Sequence, residues 1–195
     1  MTNKEASTVW RVYIALGTNL GDREANLRQA RASIEALGLR ITRASSIYET
    51  EPVGYSDQPW FFNQVIEAEF EDDRATEPYK SALGLLDSLL RVEDRMGRER
   101  GIANGPRLID LDLLMFGDLT ISVIESLRPG ASSKNGMAIS LDLPHPRMHL
   151  RRFVLEPMCE IAPLVFHPVE RKTVAELLSR LKDESVVRRV KSLAG

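Results

Sequence analysis

A single cysteine, Cys159, stands in 195 residues, so the chain has no internal disulfide framework. The three histidines lie without zinc-ligand spacing, which excludes a Cys/His zinc site. Charge of one sign is also lacking: 26 Lys and Arg face 28 Asp and Glu, a formal net charge of −2. Binding to nucleic acid or to an anionic membrane would therefore need a local patch, and neither is expected as a partner. No apolar run approaches the roughly 20 residues of a membrane span. The opening "MTNKEASTVWRVYIALG" holds only a short apolar stretch, so the expectation is a soluble cytoplasmic protein without a leader. Repeats and low-complexity blocks are absent. So are G-x-x-x-x-G-K-[ST], a G-x-G-x-x-G after the first strand, and the kinase catalytic-loop motif, so any nucleotide site is unconventional.

What is present fits one domain over residues 1–195, because 43% hydrophobic content at this length fills one core rather than two. "WRVYIALG" reads as a strand. "NLGDREANLRQARASIEALG" reads as an amphipathic helix, with Leu27, Ala30, Ile34 and Leu37 at helical spacing and Gly38 as the stop. "LRITRASSIYET" is a second strand and "EPVGYSDQP" a loop. "WFFNQVIEAEF" is a third strand with Phe62, Ile66, Ala68 and Phe70 on one face and Phe61, Asn63 and Val65 on the other. "TEPYKSALGLLDSLLRVEDRMG" is a second helix, with Thr76 as cap candidate, Pro78 in the first turn and Gly97 past the end. A fourth strand follows. This order is the ferredoxin-like βαββαβ pattern of an α+β protein, with both helices on one face of an antiparallel sheet. Beyond that core, about 9–166, "ESLRPGASSKNGMA" reads as a loop and "ISLDLP" as a returning strand. "HPRMHLRRFVLEPMCEIAP" holds a short helix between prolines, and "TVAELLSRLKDESVVRRV" gives a last amphipathic helix, about 173–190.

The fourth strand carries the chemistry. In "NGPRLIDLDLLMFGD", Ile109, Leu111, Leu113 and Met115 alternate with Leu108, Asp110, Asp112, Leu114 and Phe116. Two carboxylates thus share an apolar-flanked face, with α-carbons roughly 6 to 7 Å apart. Buried without compensation they would cost several kcal/mol, so they must bind protons, pair with cations or hold a metal. The preceding "GRERGIANGPR" brings Arg98, Arg100 and Arg107 against Glu99, and two readings stay open. The arginines neutralise the aspartates, or they bracket an anionic ligand that arrives with its metal, as a nucleoside triphosphate does with magnesium. Gly97, Gly101 and Gly105 favour a segment that moves. On the second helix Tyr79, Leu83, Leu86, Leu90 and Glu93 follow the spacing of one apolar stripe. Glu93 either marks a fraying end or begins a polar cavity. "LPHPRMHLRRF" gathers His145, Arg147, His149, Arg151 and Arg152 before Phe153, a set suited to phosphate. Asn63 beside Phe61 pairs an amide with a ring, as reading and stacking a heterocycle requires.

In chain order, "YIALGTNLGD", "SSIYETEPVGYSDQPWFFNQV", "EDRMGRER", "GPRLIDLDLL" and "LDLPHPRMHLRRFVLEPMCEIAP" resemble the successive motifs of the 6-hydroxymethyl-7,8-dihydropterin pyrophosphokinase family. The resemblance spans about Val9 to Phe166. It implies a ferredoxin-like enzyme, usually monomeric, that transfers the terminal pyrophosphoryl group of ATP to the pterin hydroxymethyl oxygen in folate synthesis, releasing AMP. It implies two magnesium ions on Asp110 and Asp112, and these aspartates with Arg98 and Arg107 as the catalytic set. Glu93, Arg98, Arg100, Arg107, Leu113, His145 and Arg151 fall on the ATP side. Thr50, Val53, Phe61, Asn63, Asp110 and Phe153 fall on the pterin side. The chain departs from the pattern at Ala103, where a basic residue is usual, and at Glu51, where a proline is common. "SVIESLRPGASSKNGMAIS" is longer than the usual connection. Two rivals fit the residues less fully. A two-metal phosphodiesterase or nuclease on Asp110, Asp112 and Glu93 would not need Asn63 and its aromatic neighbours, and a non-catalytic ferredoxin-like module would not need paired aspartates.

Overall fold

The computed structural model describes residues 8–72, 77–98, 105–126 and 138–190. β1 (Thr8–Thr18) leads into α1 (Arg23–Ala36). Asp22 starts the helix by accepting the Ala25 N–H at 2.9 Å, a cap that contributes about 1 kcal/mol. Leu27, Ala30 and Ile34 are buried as their spacing predicts, and Gly38 adopts φ 92° just beyond.

The second expected strand is two, β2 (Arg40–Ala44) and β3 (Tyr48–Thr50), both antiparallel to β4 (Phe61–Asp72). Ser45 makes the break: its N–H donates to Val65 O at 2.9 Å, and its hydroxyl, not its carbonyl, accepts the Val65 N–H at 3.0 Å. α2 (Pro78–Arg95) begins at the proline and ends before Gly97. Thr76 lies outside the described residues, and Glu77 at the cap position makes no side-chain capping bond. The most deeply buried stripe of α2 runs through Ala82, Leu85, Leu89 and Val92; of the expected stripe Leu83 is buried beside it, Leu86 and Leu90 are half-buried and Tyr79 is exposed. Helical period alone leaves the rotation of the helix on the sheet open by one residue. Glu93 borders either stripe and is fully buried.

β5 (Asp110–Phe116) completes the core, and the sheet order is β5-β1-β4-β3 with β2 also on β4. β1–β4, β1–β5, β2–β4 and β3–β4 are all antiparallel. α1 and α2 cover one face, as expected, packing on Val12, Ile14, Phe62, Ile66, Leu111 and Leu113. Strict alternation in β5 fails after Leu113. Ile14 faces Leu113 and Tyr13 faces Met115, which leaves Leu114 as an extra, bulged residue. A bulge inverts the facing of every residue past it. Phe116, expected beside the aspartates, therefore packs under α1 and α2, while Leu114 and Met115 both belong to the opposite face. Asp110 and Asp112 precede the bulge and keep their face.

"ISVIES", not anticipated as a strand, is β6 (Ile121–Ser126), and it pairs with β7 (Ala138–Leu143) as a hairpin. A 3-10 turn (Met148–Leu150) leads into α3 (Arg152–Ile161), which holds Pro157 inside it. α3 lays Val154, Leu155 and Met158 on Tyr13, Val65, Leu114 and Met115. After the short pair β8 (Phe166–His167) and β9 (Lys172–Thr173), α4 covers only Val174–Arg180. The helix expected to 190 stops there. Asp183 turns back to accept the Arg152 N–H at 2.8 Å, and β10 (Val187–Arg189) pairs with β3. An open sheet edge offers the β-branched Val186 and Val187 backbone partners that outweigh helical propensity. Glu51 secures this strand: its N–H donates to Val186 O at 3.3 Å and its Oε1 accepts the Val186 N–H at 2.8 Å. Among the described residues no helix is long and apolar enough to cross a membrane.

Candidate active site

α3 covers only part of the second sheet face. Where it stops, Gly17 on the central β1 pairs with Asn63 on one side and Asp110 on the other, and Ala15 pairs with Asp112. These small residues leave a depression between larger neighbours. A Cβ on Gly17 would lie 2.9 Å from Asn63 Oδ1 and 3.9 Å from Asp110 Cβ. The depression is the floor of a cavity of about 260 Å³. Its walls are Thr50, Glu51, Val53 and Gly54 after β3, Phe61 and Asn63 on β4, and Arg107, Asp110 and Asp112 at β5. Arg147, Leu150, Arg151 and Phe153, around the turn into α3, close the far side.

Both ends of this cavity are organised. At one end Asn63 Nδ2 donates to Thr50 Oγ1 at 2.7 Å, with both residues buried, so the amide plane is set before any ligand arrives. Phe61 and Phe153 each carry a guanidinium, Arg107 at 5.9 Å and Arg151 at 5.4 Å from the ring centres. At the other end Arg107 Nη1 donates to Asp110 Oδ2 at 2.7 Å, and Arg98 Nη2 donates to Asp110 Oδ1 at 2.8 Å. The second arm of Arg98 pairs with Glu93. Arg151 stands 3.7 Å from Asp112. The arginines thus neutralise the aspartates, the first of the two readings left open by the sequence.

Glu93 is no fraying end. Its Oε1 accepts the Leu111 N–H at 2.6 Å. Burial pushes its carboxyl up to about 7; Asp110 adds to the rise, while Arg98 and the Leu111 N–H oppose it. The Asp112 carboxyl is also raised, by burial first and by Asp110 second. Burial holds His145 below its ordinary value, against the attraction of Asp112. Its Nδ1 accepts the Arg147 N–H at 3.2 Å and is therefore the unprotonated ring nitrogen.

A family model described as 7,8-dihydro-6-hydroxymethylpterin-pyrophosphokinase matches residues 13–163. The chain belongs to that family. It is 40% identical over 154 residues to the 2-amino-4-hydroxy-6-hydroxymethyldihydropteridine pyrophosphokinase of Bacillus subtilis (strain 168), covering 78% of each chain. To the protein of the same name from Pseudomonas aeruginosa it is 32% identical over 181 residues, covering 92% of this chain and 97% of the relative. Among solved structures, Plasmodium falciparum HPPK-DHPS crystallised with pterin and p-hydroxybenzoate superposes with a TM-score of 0.66 at 17% identity. That match covers 88% of this chain and 42% of the solved one, so the chain spans under half of that protein, and at this identity the likeness shows the fold. The relatives support neither the nuclease nor the non-catalytic module.

The members of this pyrophosphokinase family use ATP, which implies a divalent metal. Among the described residues no group of three or more His, Cys, Asp or Glu could enclose an ion. Two carboxylates on one strand face, both oxygen donors, instead fit a hard cation that keeps water or phosphate oxygens for the rest of its shell. Thr50, Val53, Phe61, Asn63, Arg107, Asp110, Asp112, Arg151 and Phe153, all expected here, do meet in the cavity. Glu93 and Arg98 sit behind Asp110. The Leu113 side chain is in the core under α1 and α2, on the face opposite the carboxylates, as its place in the alternation predicts. Arg100 lies outside the described residues, as do Gly101 and Ala103. Gly17, Glu51, Gly54, Arg147 and Leu150 line the cavity without having been expected there. Arg147 belonged to the cationic run but could not be told from Arg152, which turns away to Glu156 at 3.1 Å.

Proposed function

We propose that this chain transfers the pyrophosphoryl group of ATP to 6-hydroxymethyl-7,8-dihydropterin in folate synthesis. The observation that carries this reading is a single cavity with a fixed amide and two aromatic rings at one end, and paired aspartates with arginines at the other. In the transfer the pterin hydroxymethyl oxygen bonds to the β-phosphorus of ATP and gives up its proton. The bond from that phosphorus to the α–β bridging oxygen breaks, and its electron pair leaves with AMP.

Asn63, held by Thr50, reads the pterin edge, Phe61 and Phe153 flank the ring, and Val53 covers it from the loop. Arg98 and Arg107 leave the Asp110 carboxylate for triphosphate oxygens and stabilise the charge of the transfer. Glu93, Arg100, His145, Arg151 and the backbone of Leu113 belong to the ATP side. Asp110 and Asp112 hold magnesium, two ions with ATP bound, which neutralises phosphate charge when present. Transfer of this kind asks for positioning and charge neutralisation more than covalent catalysis, which suits a site without a nucleophile. We read residues 1–195 as one domain, acting as a cytoplasmic monomer.

The test is a product assay with ATP, magnesium and hydroxymethyldihydropterin. AMP and pterin diphosphate are expected in equal amounts. Release of ADP or inorganic phosphate in their place overturns the reaction class.

A further inference from the structure

Asn19, in the turn after β1, is 2% exposed and commits its backbone N–H and both polar atoms of its side-chain amide to two separate segments. Toward one side, its backbone N–H donates to Arg107 O at 3.1 Å and its Oδ1 accepts the Arg107 N–H at 2.8 Å. A single residue thus grips the Arg107 backbone on both of its hydrogen-bonding groups, and Arg107 is one of the two arginines whose guanidinium reaches Asp110. Toward the other side, Asn19 Nδ2 donates to Gln58 Oε1 and to Pro59 O, each at 3.0 Å. Gln58 in turn donates to Tyr55 O at 2.7 Å. These bonds secure the far end of the loop between β3 and β4, whose near end supplies Glu51, Val53 and Gly54 to the cavity. The loop has little core of its own: Val53 is 54% and Tyr55 38% exposed.

We infer that Asn19 is a positioning residue that couples the two halves of the site, the loop beside the pterin end and Arg107 at the phosphate end. The inference rests on the reading of the cavity proposed above. Both connections run through one planar amide, so its acceptor edge cannot shift against Arg107 without moving its donor edge against Gln58 and Pro59. A ligand that orders the loop therefore favours one placement of Arg107, and a triphosphate that draws on Arg107 favours one placement of the loop. Such coupling is reciprocal for binding free energies. Asparagine is the residue type that supplies both edges. Aspartate would keep the acceptor for Arg107 and face Pro59 O with an oxygen in place of a donor.

The experiment measures hydroxymethyldihydropterin affinity by calorimetry with and without a nonhydrolysable ATP analogue and magnesium, and the analogue's affinity with and without pterin. In the wild type each ligand is expected to tighten the other by about fivefold or more. Asn19→Asp is expected to bring that factor close to one and Gln58→Ala, which leaves the bond to Pro59 O, to reduce it by about half or more, while affinity for the analogue alone stays within about threefold. Gln58 lies at the surface end of the connection, so its variant answers the question if Asn19→Asp does not fold. An unchanged coupling factor in the folded variants, or no coupling in the wild type, overturns the inference. A wild type that makes no pterin diphosphate would instead sink the functional reading, which the product assay detects separately.

Discussion

The backbone N–H of Leu111 donates to the buried carboxylate of Glu93 at 2.6 Å, and this bond locks the end of α2 to the strand that presents Asp110 and Asp112. The helix ends in an acid because that acid serves the strand. Its other oxygen meets Arg98, so one carboxylate orients a backbone and a guanidinium at once.

That placement has a pH signature. The Glu93 carboxyl titrates near 7 in the folded chain, against an ordinary value of 4.5. Between these values the folded chain retains a proton that the unfolded chain has released, so stability falls as pH rises through this window and levels off above it. For the metal-free protein the loss across the whole window is on the order of 3 kcal/mol, since a tenfold difference in proton affinity is worth about 1.4 kcal/mol. Urea unfolding from pH 5 to 8 should show the wild type losing stability relative to Glu93→Gln as pH rises. Parallel curves for the two proteins would mean that Glu93 titrates as an ordinary carboxyl.

Asp112 sits in a place that disfavours its charge, through burial and through Asp110 beside it. Asp112→Asn should therefore lower turnover by roughly 100-fold or more, as loss of a metal-holding or transition-state group does, yet raise the melting temperature of the metal-free protein. Steady-state rates with magnesium and thermal melts in a chelator check the two halves. Full magnesium-dependent activity in this variant would defeat the metal assignment.

Gly17 stands between the two ends of the cavity. The contact of 2.9 Å that a Cβ would make with Asn63 Oδ1 must be relieved by moving the amide, since β1 is a central strand. Gly17→Ala is expected to weaken pterin binding by roughly 10- to 100-fold, the scale of a 1 Å misplacement, with little change in affinity for an ATP analogue. Equal loss for both ligands would indicate a general distortion of the sheet instead.

Most of the architecture was legible in the chain because it rests on local period. Leu27, Ala30 and Ile34 announce α1, and the β4 alternation sends Phe62 and Ile66 to the helices and Phe61 and Asn63 to the opposite face. The spacing of Asp110 and Asp112 puts both carboxylates on one side of β5 without reference to any other part of the molecule. Family resemblance then joined these pieces to the arginines and Asn63 as one site.

Other features depend on partners far away in the chain, and period carries no information about those. The bulge at Leu114 is a matter of register against Tyr13 and Ile14, so the fate of Phe116 could not be read from β5 alone. Residues 187–189 pair as a strand because β3 leaves an edge open, although the same residues continue a helical pattern. Gly17 matters for the space it leaves beside Asn63, and Asn19 for two loops that meet only on folding. The sequence by itself determined which residue types and which strand face carry the chemistry, since side-chain period follows from the backbone. Only the tertiary structure decided that Arg98 joins Arg107 on Asp110, that Arg151 faces Asp112 and what holds Arg107 in place, because, the Arg107–Asp110 pair apart, those contacts join residues distant in the chain.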